Sequence, residues 1–208
     1  MNLSEPATVL LTQGDAKALS VLAGTTRPLS GREIARLGGG NPATTWRSLT
    51  RLADHGLLHV QEAGAGAALL YVLNRDHLAA DAVQTLVDLR GLLVDRLKAE
   101  VAQWKVPPLH ASLFGSAARG DGNTSSDIDL FVVQPKVVED EEKWGVQLER
   151  LAAAVLRWTG NHAAIAEVTV AQAAGMAQER RPIVNELLRD GVWLFGLPVR
   201  ELLSEVST

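Results

Sequence analysis

Apolar and polar positions alternate along this chain in short blocks, separated by glycine, proline and capping residues. Residues 15–23 keep the three-and-four spacing of a helix and stop at Gly24. After the turn Thr25-Thr26-Arg27-Pro28, Ser30-Gly31-Arg32-Glu33 has the form of a capping box and predicts a second helix, with Ile34, Ala35 and Leu37 facing inward and Gly38-Gly39-Gly40 stopping it. Asn41 offers a cap and Pro42 a first position, where a missing N–H costs nothing, for a third helix. Trp46, Leu49, Leu52 and Ala53 keep its period, and Gly56 closes it. Two strands follow at 57–62 and 68–73, joined by the small residues 63–67. Residues 76–104 then read as one long helix, with Val83, Leu86, Val87, Leu93, Leu97, Val101 and Trp104 on one stripe and Gly91 a point of break or bend. At 1.5 Å per residue that helix would span about 42 Å. Val106-Pro107-Pro108 ends it. Beyond lie strands at 110–116 and 127–133, a helix at 138–159, an apolar β-like run at 163–170, a helix at 183–189 and a final edge strand at 191–196.

Helix, helix-turn-helix and hairpin is the order of a winged helix-turn-helix. Residues 10–75 resemble the winged-helix domains of bacterial transcriptional regulators. In that arrangement the third helix would present Thr44, Thr45, Arg47, Ser48 and Arg51 outward, side chains able to reach base edges and phosphates of DNA. The wing argues the other way, since no Lys or Arg stands between Leu57 and Leu73. A docking or dimerisation module that no longer binds DNA is the alternative.

Composition narrows the class. With 208 residues, 47% hydrophobic and 21% charged, the chain can bury the core of one ordinary domain or two small ones. Disordered, collagen-like and disulfide-stapled chains are excluded, and without cysteine there is no thiolate metal site. The five histidines show no paired ligand spacing, which argues against zinc. The start lacks a basic segment, and no apolar run approaches the roughly 20 residues of a membrane helix, so a cytoplasmic protein without membrane contact is expected. The net charge of −4 argues against nucleic-acid binding through bulk charge. It is unevenly spread: residues 1–75 carry +2 and residues 76–208 carry −6. The predicted organisation is α+β, with an N-terminal unit over 1–75, a linker helix over 76–105 expected to connect the domains and to offer a surface for homodimerisation, and a C-terminal domain over 106–208.

The C-terminal part carries the chemistry. A strand ends in Gly115-Ser116, and after Asp121-Gly122-Asn123-Thr124-Ser125-Ser126 a second strand begins with Asp127-Ile128-Asp129. Alternation puts both carboxylates on one face, roughly 6–7 Å apart, where they repel unless a cation neutralises them. Oxygen ligands of this kind suit Mg²⁺ together with substrate phosphates. Gly-Ser, ten residues, then Asp-x-Asp is similar to the signature of the polymerase-β-like nucleotidyltransferase superfamily, and the length is most like its small bacterial members, several of which are antitoxins that pair with a helical toxin. The resemblance covers residues 106–196 and implies a mixed α/β sheet domain. It also implies that backbone N–H groups at Gly115 and Ser116 cradle an NTP, and that Asp127 and Asp129 hold two Mg²⁺ ions.

The superfamily adds a third acid on a neighbouring strand, for which Glu167, inside the apolar run 163–170, is the candidate as metal ligand or base. Arg119 matches the second arginine of the family's Gly-Ser-Arg-x-Arg-Gly form, while Ala117 stands where the first would be. Asp121 and Ser126 shape the loop, Glu139 to Glu142 complement a helix dipole, and the five tryptophans read as packing. The reading is a Mg²⁺-dependent enzyme that transfers an NMP from an NTP to a hydroxyl on a protein, RNA or small molecule. The alternatives are a DNA-binding regulator or antitoxin whose transferase domain senses nucleotide or partner without turnover, and a degenerate scaffold.

Overall fold

The computed structural model of the chain describes residues 1–62, 68–138 and 140–205. It is a mixed α+β structure with two separate sheets, and the chain divides into two compact units, with the change between Leu89 and Arg90.

The first unit contains α1 (Gln13–Ala23), β1 (Leu29–Ser30), α2 (Gly31–Leu37), α3 (Pro42–Asp54), β2 (Leu58–Glu62), β3 (Leu69–Leu73) and α4 (Ala80–Val87). Its helices α1, α2 and α3 begin at side-chain caps, whereas α4 begins without one. Ser30 and Glu33 form the reciprocal capping box, and the Asn41 side chain accepts from the N–H groups of Ala43 and Thr44 ahead of Pro42. Thr12 accepts from the Asp15 N–H, which starts α1 two residues before the pattern suggested. Leu19, Leu22, Leu29, Ile34 and Leu49 form the fully buried centre. The sheet order is β1-β3-β2, antiparallel throughout, with Leu58 opposite Leu73 and Glu62 opposite Leu69. The hairpin connection 63–67 lies outside the described residues.

Two expectations are corrected here. The predicted helix over 76–104 is two helices, α4 and α5 (Leu89–Ala102), because Asp88 leaves helical geometry at φ −103°, ψ 23°. The apolar stripe divides accordingly: Val83 belongs to the core of the first unit, whereas Leu93, Leu97, Val101 and Trp104 belong to that of the second. Trp46, read as a core position of α3, is instead 61% exposed.

The second unit contains most of α5, then β4 (His110–Phe114), α6 (Gly115–Arg119), β5 (Ile128–Val133), α7 (Glu141–Thr159), β6 (Ala163–Val168), α8 (Val170–Gln178), α9 (Pro182–Asp190), β7 (Val192–Gly196) and α10 (Val199–Glu205). The sheet order is β6-β5-β4-β7, with β5 parallel to β6 and the other pairs antiparallel. β5 is buried on both faces, which explains its nearly continuous apolar run. Ile128, Leu130 and Val132 pack with Leu93 and Leu97 of α5 and Leu151 and Val155 of α7. Phe131 and Val133 face the other way, toward Ala173 of α8, Leu187 of α9 and Leu202 of α10.

The run 163–170 is cut short because Thr169 turns from strand to cap, forming a capping box with Gln172 that opens α8. α7 starts at Glu141, behind Asp140, whose side chain accepts from the Lys143 N–H. Glu141 and Glu142 lie in that first turn, and Glu139 lies outside the described residues. Among the described residues no helix is long and apolar enough to cross a membrane.

Candidate active site

The site forms where β4 turns into the single helical turn α6. Phe114, the last residue of β4, is paired with Asp129 on β5, so the Gly115 turn and the acid strand are register neighbours. Gly115 has φ +66°, and a Cβ there would overlap the Asp129 carboxylate, with Cγ only 2.9 Å away. Glycine is therefore required twice, for the left-handed backbone and for the seat of the carboxylate. α6 ends at Gly120, φ +78°, and the Ser116 carbonyl accepts from the N–H groups of Gly120 (2.9 Å) and Asp121 (3.1 Å).

Asp129 is half-buried and Asp127, just ahead of β5, is exposed. Burial holds the Asp129 carboxyl above the usual carboxylate range. The charges of Asp127 and Glu186 push the same way, and Arg119 opposes them. Arg119 is itself engaged, its Nε donating to Asp121 Oδ2 at 3.1 Å. Asp121, followed by the charges of Asp190 and Glu186, raises its pKa further. The site thus gathers several carboxylates about the exposed Arg119, with Asp190 also ion-paired to Arg189 at 2.7 Å. Oxygen-only donors at Asp127 and Asp129 fit a single Mg²⁺ that shares its shell with phosphate oxygens and water.

The third acid is not where the sequence reading had it. Glu167 pairs across β6 with Val132 and therefore lies on the Ile128–Leu130–Val132 face, opposite to Asp129. Its Oε1 accepts from Gln134 Nε2 at 2.7 Å and Trp144 Nε1 at 2.5 Å. The β6 residue alongside Asp129 is Ala164. Strand parity is the physical reason: a residue three places along from Ala164 must face the other side. Among the described residues no group of three or more His, Asp or Glu is arranged to hold a metal ion.

Two supporting residues were invisible in the sequence. Arg90, at the start of α5, donates its Nε to Ala117 O at 2.8 Å and its Nη2 to Ala118 O, bracing the carbonyl end of α6. Asn161 is buried in the turn before β6 and donates to the loop that leads to Asp127. Neither belongs to a motif, and only tertiary contact reveals them.

In the first unit, α3 presents a different face from the one expected. Thr44 and Arg47 are exposed, but Thr45 and Ser48 are buried and so cannot read a groove. Arg51 is ion-paired at 2.5 Å with the buried Asp15. Burial would raise the Asp15 pKa, but hydrogen bonds from Arg51, Thr12 and Ser48 outweigh it and hold the carboxyl below its ordinary range. The exposed Trp46 stands where the helical period placed a core residue. The buried His110 is held by Leu197 O and Ser112 Oγ, with no metal-like partner set.

Compared with known proteins, residues 94–173 match the family described as nucleotidyltransferase domain. No curated protein matches the sequence. Among solved structures, the chain is similar to a crystal structure of a toxin–antitoxin with AMP-PNP, at 15% identity and a TM-score of 0.38 over 54% of this chain and 82% of that one. It is also similar to a crystal structure of a mutant of the toxin–antitoxin MntA-HpeT, at 12% identity, the same TM-score and the same coverage.

Proposed function

We propose, from the premise that residues 94–173 are a nucleotidyltransferase domain, that this domain transfers an NMP from a Mg²⁺-bound NTP to a hydroxyl acceptor on a protein, RNA or small molecule. The observation that carries the reading is Asp129, half-buried against Gly115 and facing the like charges of Asp127 and Glu186. Such a carboxylate is unfavourable alone and is stabilised by a cation. Asp127 and Asp129 would hold Mg²⁺, which when bound neutralises the triphosphate and the charge that grows on the leaving pyrophosphate. Backbone N–H groups at the Gly115-Ser116 turn and the Ser116 hydroxyl would orient the phosphates. Arg119 would exchange Asp121 for a phosphate oxygen, a stronger partner for a planar guanidinium. Catalysis then rests on positioning and electrostatics, without a nucleophilic side chain. Calorimetric titration of ATP, CTP, GTP and UTP with and without Mg²⁺ tests this, with the Asp127→Asn/Asp129→Asn protein as the control.

A second reading concerns the N-terminal unit as a winged helix-turn-helix that contacts DNA. It is favoured by the exposed Arg47 and Thr44 on α3. The contact set we infer is Thr44 and Arg47 with the exposed Trp46 beside them; Thr45, Ser48 and Arg51 serve the fold. Arg47→Ala should weaken binding to the protein's own promoter about tenfold and reduce its salt slope by about one. An unchanged affinity and slope would leave the unit a docking or dimerisation module.

A further inference from the structure

The loop that delivers Asp127 to the site is closed by its own bonds and anchored from outside. Within it, the Ser126 N–H donates to Asn123 O at 3.2 Å, the Asn123 N–H to Ser126 Oγ at 3.0 Å and the Ser125 N–H to Asn123 Oδ1 at 2.8 Å. These bonds shape a turn without fixing it to the sheet.

The anchors are two. The Leu3 N–H donates to Gly122 O at 2.9 Å, and the Asn161 amide donates to both Asn123 O (3.0 Å) and Ser126 O (2.8 Å). Asn161 is 3% exposed and fully engaged: its N–H donates to Thr159 Oγ1 at 3.0 Å, and its Oδ1 accepts from the Met1 ammonium. The next residue holds the strand itself, since the Ile128 N–H donates to His162 O at 2.8 Å.

We infer that Asn161 is a positioning residue for Asp127. The carbonyl of Ser126 and the N–H of Asp127 belong to one planar peptide unit, so gripping that oxygen fixes the plane from which the Asp127 carboxylate departs. Asp127 itself is exposed. A carboxylate on an unanchored loop loses conformational freedom when it takes up a cation, and that loss weakens binding. Asn161 removes the loss in advance. A buried amide with both donors on carbonyls of one loop is well suited to this, because leaving either carbonyl unpaired is costly. The assignment rests on the reading of Asp127 as a ligand of the nucleotide-bound Mg²⁺.

The test uses the full chain with two substitutions. Asn161→Asp keeps size and an acceptor oxygen but removes the donors; Asn161→Ala removes the donors without adding charge, and decides the matter if the buried carboxylate prevents folding. Hydrogen exchange of the 121–127 segment and the Mg²⁺ requirement for ATP binding are measured for each. The expected results are at least tenfold faster exchange in that segment and an Mg²⁺ concentration for half-maximal ATP binding raised about tenfold. Excess Mg²⁺ should restore full stoichiometry in these variants but not in Asp127→Asn, a rescue that general destabilisation would not produce. Wild-type exchange, or a wild-type Mg²⁺ requirement in a variant that binds ATP, overturns the assignment alone. A wild-type protein that binds no Mg²⁺–nucleotide overturns the underlying reading and the assignment with it.

Discussion

Gly115 and Asp129 constrain each other more tightly than any other pair in the site. The left-handed backbone at Gly115 costs a side-chain-bearing residue about 1–2 kcal/mol, and an added Cβ must also push the Asp129 carboxylate from its seat. Gly115→Ala should therefore lower stability by at least that amount and abolish Mg²⁺-dependent nucleotide binding, measured by denaturant melts and calorimetry on the same protein. Binding at wild-type affinity would mean that the contact is incidental. The sequence announced this pair through its spacing alone, because Gly-Ser and Asp-x-Asp are local signals. Glu167 shows the opposite case. An acid within an apolar run is compatible with either face of an edge strand, and only the register of β6 against β5 decides which.

At the scale of elements, α1 and α3 are joined by a buried charge. Asp15 is 4% exposed and takes hydrogen bonds from Thr12 at 2.6 Å and Arg51 at 2.5 Å. Its carboxyl is held below the ordinary range, so the stabilisation is complete above the unfolded-state pKa and is lost as pH falls through the lower folded-state value. Asp15→Asn should cost about 1–3 kcal/mol at neutral pH and flatten the acid limb of the stability–pH curve. A curve parallel to wild type would remove the pair from the account.

Caps made the starts of α2 and α3 legible: Ser30, Asn41 and Pro42 each act through neighbours within three residues. The face of α3 was not legible. Thr45 and Ser48 are small polar residues that fit an interior as well as a groove, and Trp46 keeps the period of a core residue while standing in solvent. The break was legible only roughly: Gly91 pointed to a break or bend, but it lies inside α5, and the helical period continues through Asp88, where only the division of the apolar stripe between two cores exposes the break.

Across the whole molecule, the chain forms two units with separate sheets and separate cores. The charge division along the sequence, +2 over residues 1–75 and −6 beyond, does not follow that separation: Asp76, Asp81 and Asp88 lie in the first unit, which brings residues 1–89 to −1 and leaves −3 for residues 90–208. In the second unit Asp121, Asp190 and Glu186 act on Arg119, Asp127 and Glu186 act on Asp129, and Asp190 is also ion-paired with Arg189 at 2.7 Å, which leaves more carboxylates than guanidiniums about Asp129. Nucleotide binding should therefore depend on divalent metal more steeply than at a site rich in Arg and Lys. Calorimetric titration of the four NTPs, with and without Mg²⁺, into wild type and Asp127→Asn/Asp129→Asn measures that dependence directly. The account predicts binding of at least one NTP that requires Mg²⁺ and is lost in the double variant; binding that persists without the metal or survives the double substitution would contradict it.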